Sequence, residues 1–117
     1  MTRQRYDEHS TEFGLWLRKQ PEIDSGLGFV TTNLDYIWAN YKSGSWMLIE
    51  EKRYRGAVKF SQRQLFKKIA CACRNAKGYC GIHLLEFEMT SPDDGRMWLD
   101  RVEISKEQLI AFLRFEE

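Results

Sequence analysis

Two runs rich in aromatic and apolar residues flank a short polar turn, and this pattern constrains the fold more than any other segment. Residues 34–41 and 45–54 have strand composition, and Lys42-Ser43-Gly44-Ser45 between them has turn composition. The pattern predicts a β-hairpin. In such a hairpin the start of the first strand lies beside the end of the second.

Helix-capping residues predict where three helices begin. Ser10 or Thr11 can cap a first helix. Ser61 and Gln64 have capping-box spacing ahead of an apolar run, and Ser105 with the glutamine three residues later repeats it. The first helix is expected to end near residue 19, and the others to span 61–76 and 106–115.

A second hairpin is predicted where strand-like runs flank Ser91-Pro92-Asp93-Asp94-Gly95. The expected strands are 34–41, 45–54, a short one at Ala57–Phe60, 79–89 and 97–104. Together with the helices they predict one α/β (α+β) domain over residues 1–117, with a mixed central sheet flanked by helices. The chain contains neither a signal-peptide pattern nor a run long enough to cross a membrane, so a cytoplasmic protein without a membrane partner is expected.

Charge is strongly segregated along the chain. No acidic residue occurs from Lys52 to Leu85, a segment that carries nine of the 18 basic residues. This basic segment is balanced by a net −8 elsewhere, so the total of +1 conceals it. Segregation of this kind suits either a surface that binds polyanions or a solvated basic helix between acidic strands.

The candidate chemistry lies in the predicted first hairpin. Because strand side chains alternate, Glu50 and Lys52 point to one face of the sheet and Glu51 to the other. Asp35 opens the preceding strand, and the hairpin brings it beside Glu50 and Lys52. Two carboxylates this close repel each other unless a hard cation lies between them, and Mg²⁺ prefers a few carboxylates with waters and phosphate oxygens. The alternative is an ordinary solvated Glu-Lys ion pair at a strand end.

An acidic residue on one strand followed by acid-x-Lys on the next resembles the signature of the PD-(D/E)xK nuclease superfamily. Asp35, fourteen residues and then Glu50-Glu51-Lys52 carry the resemblance. It implies a restriction-endonuclease-like core of order αβββαβ and a metal-dependent nuclease. The residue before the aspartate is Leu34, where the signature has proline.

The resemblance implies that Asp35, Glu50 and the backbone carbonyl of Glu51 bind Mg²⁺ or Mn²⁺, and that Lys52 positions the attacking water or stabilises the transition state. It also makes Glu12 and Gln64 candidate catalytic residues. Each has an equally good structural explanation, because Glu12 favours the first-helix dipole and Gln64 can complete the capping box.

The functional expectation is a DNA endonuclease, and branched DNA is an attractive substrate. The candidate phosphate-binding residues are Arg53, Arg55, Lys59, Arg63, Lys67 and Lys68. A domain this small holds one strand-cutting site, so a homodimer, a targeting protein partner or single-strand cutting is expected. Two alternatives stay open: a non-catalytic nucleic-acid-binding module, and a domain that only packs against a protein partner.

Overall fold

A computed structural model describes residues 11–116. Contacts divide the chain into two compact units, the first ending at Asn33 and the second running from Leu34. That the chain acts as one domain stays a prediction. The longest helix in residues 11–116 has 14 residues, which is too few to cross a bilayer.

The first unit contains helix α1, Glu12–Lys19. Thr11 is its N-cap, and the Thr11 hydroxyl oxygen accepts a hydrogen bond from the Gly14 N–H at 3.0 Å. The predicted cap at Thr11 is therefore confirmed, whereas Ser10 lies outside the described residues. Two single 3₁₀ turns follow, over Pro21–Ile23 and Ser25–Leu27.

The second unit is a mixed five-stranded sheet with helices, in the strand order β1-β2-β3-β4-β5. The strands are β1 (Tyr36–Asn40), β2 (Ser45–Lys52), β3 (Tyr79–Phe87), β4 (Met97–Leu99) and β5 (Val102–Glu103). Helix α2 (Phe60–Cys73) connects β2 to β3, and helix α3 (Lys106–Leu113) follows β5. The predicted mixed sheet and helices are confirmed at this level.

The sheet brings the ends of three strands to one edge. The predicted first hairpin is confirmed, since β1 and β2 are antiparallel with Tyr36 opposite Ile49. Strands β2 and β3 are parallel, with Glu50 beside Leu84 and Lys52 beside Glu86. The carboxyl ends of a parallel pair meet at one edge of a sheet, where ligands commonly bind in α/β folds.

Alternation along β2 separates the core from the other face. Met47 and Ile49 are buried in a core cluster that includes Leu109 of α3. Glu50 points to the opposite face, where the side-chain amide of Gln62 in α2 donates to it. Leu48 is also buried and shares the face of Glu50, so the α2 side of β2 combines apolar packing with a buried polar group.

Several predicted elements are wrong in detail. Residues Ala57–Phe60 form no strand, so only two strands separate α1 from α2 and the third strand of the predicted αβββαβ order is missing from this segment. The second predicted strand ends at Lys52, because Arg53–Arg55 forms a 3₁₀ turn in which the Tyr54 backbone is left-handed. A left-handed residue cannot continue a pleated strand.

The second helix begins one residue earlier than predicted and ends three residues sooner. Its N-cap is Lys59, whose side chain makes no capping hydrogen bond, so the predicted Ser61–Gln64 capping box is wrong. The capping box at Ser105 is confirmed, with both reciprocal bonds to Gln108.

The predicted strand 97–104 is interrupted by a two-residue turn. Asp100 and Arg101 both have positive φ, as in the tight hairpin turns that join β-strands.

Candidate active site

The two predicted metal-binding carboxylates lie on neighbouring strands. Asp35 directly precedes Tyr36, and Tyr36 pairs with Ile49, the residue before Glu50. The Glu51 backbone N–H donates to Asp35 Oδ2 at 2.8 Å and holds the Asp35 side chain against β2. The negative charge of Asp35 acts on the Glu50 carboxyl, so the two carboxylates lie close together.

Glu50 is almost enclosed, with 4% of its surface exposed. Its Oε2 lies 3.2 Å from Lys52 Nζ and accepts a hydrogen bond from Gln62 Nε2 at 2.9 Å. Its Oε1 is buried and has no hydrogen-bond partner within residues 11–116. One oxygen of the carboxylate is therefore held in place, while the other is left for a further ligand.

The electrostatics of Glu50 follow from this enclosure. Burial and the negative charge of Asp35 raise the pKa of the Glu50 carboxyl above its ordinary value. The contacts from Lys52 and Gln62 favour the charged form but offset only part of that rise. A positive charge placed between Asp35 and Glu50 would stabilise the charged form of Glu50 and so oppose the effects of burial and of the Asp35 charge.

Glu51 faces away from this pair, as the strand alternation predicts. Its Oε1 accepts a hydrogen bond from the Tyr36 hydroxyl at 2.9 Å, and its Oε2 lies 3.9 Å from Arg53 Nε. In a strand the N–H and C=O of one residue point toward the same neighbour. The Glu51 N–H points to Asp35, so its carbonyl points the same way, past the first residue of β1.

These donors fit a small divalent cation. An enclosed carboxylate oxygen without a partner, a second carboxylate close to it and a strand carbonyl on the same side are oxygen ligands of the kind that Mg²⁺ takes, completed by water and phosphate. No cluster of three or more acidic, His or Cys side chains suited to a metal occurs in the described part of the chain.

A second buried carboxylate, Glu86, was missed by sequence reasoning. Glu86 lies beside Lys52 in the parallel pair and is 1% exposed. Its Oε2 is 2.9 Å from Arg101 Nη1 and 3.8 Å from Arg55 Nε, while its buried Oε1 has no partner among the residues described. The signal in the sequence was an isolated acid within the apolar run Leu84-Leu85-Glu86-Phe87.

A cavity of about 240 Å³ lies between α2 and the sheet, next to Glu50. Its apolar wall includes Phe66 and Leu84, and Arg63 and Lys67 also line it. Both cations are exposed and lie four residues apart on α2, so they share one side of the helix. The structure thus brings two of the predicted phosphate-binding residues close to the carboxylate site.

The remaining predicted site residues fall in different places. Gln64 is half-buried, but the α2 residue that bonds to Glu50 is Gln62. Glu12 is exposed in the first turn of α1, as expected for a helix-dipole contact, and its catalytic role stays a prediction. The other predicted phosphate contacts are all exposed, namely Arg53, Arg55, Lys59 and Lys68.

An imidazole–carboxylate pair anchors the turn that carries Arg101. His83 Nδ1 lies 2.7 Å from Asp100 Oδ2, and Asp100 Oδ1 accepts from the Leu84 N–H at 2.9 Å. The hydrogen bond to Asp100 raises the pKa of His83 despite burial. Burial alone would raise the pKa of Asp100, yet the bonds from His83 and Leu84 lower it.

This pair predicts a pH-dependent stability. The folded protein holds the His83 proton more tightly than the unfolded chain, so the contribution is full below about pH 6.5 and is lost as the pH rises through the raised pKa. Asp100→Asn keeps a residue that tolerates positive φ and removes the charge. Thermal unfolding at pH 6 and pH 8 is expected to show about 0.5–1 kcal/mol less pH dependence in the variant, a modest effect because Asp100 is half-exposed. Identical pH dependence in the two proteins would contradict the assignment.

Comparison with known proteins adds no family to this geometry. No family model, no curated protein and no solved structure matches the chain.

Proposed function

We propose that this protein is a Mg²⁺-dependent DNA endonuclease that hydrolyses phosphodiester bonds at Asp35, Glu50 and Lys52. The observation that carries the proposal is the enclosed Oε1 of Glu50, which has no partner among the residues described and belongs to a carboxyl on which the negative charge of Asp35 acts. A stability role alone does not explain Glu50 at this position, because burial and the negative charge of Asp35 both disfavour its charged form.

Asp35, Glu50 and the Glu51 carbonyl are the residues that would hold the cation. When bound, Mg²⁺ polarises the phosphate and lowers the pKa of a bound water. Lys52 supplies a fixed positive charge beside Glu50, where it orients the attacking water and stabilises charge that develops on the phosphate. Gln62 is a positioning residue, since its amide fixes the Glu50 carboxylate through a buried hydrogen bond.

Helix α2 supports a phosphate on the same side of the sheet. Its first turn contains Gln62, has no acidic residue, and receives no side-chain cap from Lys59. Backbone N–H groups at such a helix start favour an anion. Arg63 and Lys67 add positive charge along the same helix, next to the cavity that adjoins Glu50.

The arrangement also supports the resemblance to the PD-(D/E)xK superfamily and its restriction-endonuclease-like core. A strand that follows an aspartate, a strand that ends in Glu-x-Lys, a helix and a further strand occur in that order, although the third strand of the αβββαβ order is missing. With one small site per chain, cutting both strands of a duplex would need a second copy or a targeting partner.

The test is cleavage of plasmid and branched DNA in Mg²⁺, in Mn²⁺ and in EDTA. Wild type is expected to cut in either metal and to be inactive in EDTA. Lys52→Ala is expected to slow cutting by about 10²–10³-fold, as does removal of a single group that stabilises transition-state charge. Lys42→Ala is the matched control, since Lys42 is an exposed lysine in the turn at the other end of the same hairpin.

Two results would overturn the proposal. The first is a Lys52→Ala protein that cuts as fast as Lys42→Ala. The second is a wild type that binds DNA but does not cut it in any divalent metal, which would favour the non-catalytic nucleic-acid-binding module.

A further inference from the structure

Two arginines from distant parts of the chain converge on the buried carboxylate of Glu86. Arg55 follows β2 in the 3₁₀ turn, and Arg101 lies in the turn between β4 and β5. Their guanidinium nitrogens lie 3.8 Å and 2.9 Å from the same oxygen, Oε2. We call Arg55 and Arg101 the arginine pair.

The arginine pair contacts buried side chains on one side and solvent on the other. Glu86 is 1% exposed, whereas the side chains of Arg55 and Arg101 are 47% and 60% exposed. The Arg55 guanidinium carbon also lies 3.9 Å from the centre of the Trp98 ring, which is buried. The Glu86 carboxylate restricts both guanidinium groups and the Trp98 ring further restricts that of Arg55, while both arginines keep N–H donors toward solvent.

The backbone under both arginines is strained. Arg55 has φ 52° and Arg101 has φ 75°, a region that side chains other than Gly, Asn and Asp rarely adopt. Strain of this kind persists where the surrounding structure enforces it and is concentrated at binding and catalytic sites. Positive φ also occurs at Tyr54 and Asp100, so each arginine is the second residue of a two-residue left-handed turn.

The charge of the cluster is positive. One carboxylate and two guanidinium groups leave a net charge of +1, and burying the acid without any further role would be unfavourable relative to an apolar side chain. A planar guanidinium with exposed donors matches the oxygens of a phosphate. Glu86 lies beside Lys52 on the adjacent strand, so the arginine pair is one strand away from the proposed catalytic lysine.

We propose that the arginine pair binds a DNA backbone phosphate next to the one that is cut, and that Glu86 is the positioning residue that holds both guanidinium groups for it. The inference rests on the proposed nuclease function and names how its substrate backbone is held. The ligand is a phosphodiester of nucleic acid, which any base sequence presents equally.

The test is DNA binding in EDTA, where no cutting occurs, at salt concentrations from about 50 to 200 mM. Arg55→Gln and Arg101→Gln are each expected to raise the Kd of a labelled DNA about fivefold to tenfold at low salt and to lower the salt slope by about one. Arg101→Lys is expected to keep the slope but to weaken binding, because it retains charge without the planar fork.

Arg96→Gln is the matched control. Arg96 also lies against Trp98, at 5.1 Å, and its side chain is as exposed as that of Arg101. However, Nε and Nη2 of Arg96 are bound by the two oxygens of Glu103 at 3.1 and 3.0 Å. We expect its replacement to leave Kd and salt slope unchanged, and an effect equal to that of Arg101→Gln would overturn the proposal.

Glu86→Gln tests whether Glu86 orients the arginines or acts on the DNA only through its charge. If only its charge mattered, removing a negative charge near the phosphates should strengthen DNA binding. A positioning role predicts weaker binding despite the gain of one positive charge, and stronger or unchanged binding would overturn that role. Thermal unfolding of each variant verifies that the protein measured is folded, and Arg101→Lys tests the fork geometry if Arg101→Gln fails to fold.

Failure of this inference is distinguishable from failure of the nuclease proposal. If wild type cuts DNA and both Arg55→Gln and Arg101→Gln bind DNA normally, the arginine-pair proposal is wrong and the nuclease proposal stands. If wild type never cuts DNA but the two variants lose salt-dependent affinity for it, the nuclease proposal is wrong and the arginine-pair proposal stands as a binding site. A wild type without affinity for DNA removes both.

Discussion

Replacing Glu50 by glutamine is expected to abolish metal-dependent DNA cleavage, with a loss of at least about 10²-fold, because the enclosed carboxylate is one of the two negative ligands proposed for the cation. Mn²⁺ affinity, followed by titration calorimetry, should fall in parallel. Binding of DNA in EDTA should persist. Glu51→Gln is the matched control, since it changes the adjacent acid of the same strand, whose side chain bonds to Tyr36 on the other face.

Glu50→Gln should abolish cleavage without lowering the stability of the protein near neutral pH. The folded protein holds a proton on Glu50 more tightly than the unfolded chain does, so wild-type stability falls as the pH rises from about 4.5 through the raised pKa. Glu50→Gln removes this loss and should make the protein no less stable than wild type near neutral pH. Metal-dependent cutting by wild type should fall as the pH is lowered, because protons compete with the cation for the Glu50 carboxylate. A Glu50→Gln protein that still cuts would contradict the site.

Local patterns explain why the core of the candidate site could be predicted. The turn at 42–45 sets the register of the first hairpin, and that register brings Asp35 to the end of β2, where it accepts a hydrogen bond from the Glu51 N–H. Strand alternation then separates Glu50 from Glu51 without any knowledge of the rest of the fold. These relations involve at most sixteen residues of chain, so the sequence carries them in full.

The hydrogen bond between α2 and Glu50 could not be predicted, because the sequence did not determine which side chains of α2 face the sheet. The helix begins at Phe60 rather than at a Ser61 cap, and Gln62 bonds to Glu50. Positions two apart on a helix differ by about 200°, so Gln62 and Gln64 point to nearly opposite sides and only one can face the carboxylate. A capping motif with the right spacing was misleading here, since α2 begins at Phe60 with Lys59 as its N-cap.

The Glu86 cluster could not be predicted because it depends on long-range pairing. Glu86 reaches Lys52 only through the parallel register of β2 and β3, and it reaches Arg101 only through a tight turn. That turn contains Asp100 and Arg101 rather than the Asn-Gly or Asp-Gly that marks such turns in a sequence. Departures from local preference of this kind are concentrated at functional sites, which is consistent with the proposed role of the arginine pair.

Ile49→Ala is expected to reduce the free energy of unfolding by about 2–5 kcal/mol, because Ile49 is 4% exposed in the core cluster between β2 and α3. Urea unfolding measures the change, and Ile37→Ala is the matched control, since Ile37 is 72% exposed on β1 and should change stability by less than about 0.5 kcal/mol. Ile49 and Glu50 are consecutive residues on opposite faces of one strand. We therefore expect the Ile49→Ala molecules that remain folded to cut DNA at nearly the wild-type rate, whereas Glu50→Gln stays folded and does not cut. If fully folded Ile49→Ala were inactive, the assignment of Ile49 to stability and of Glu50 to cleavage would be wrong.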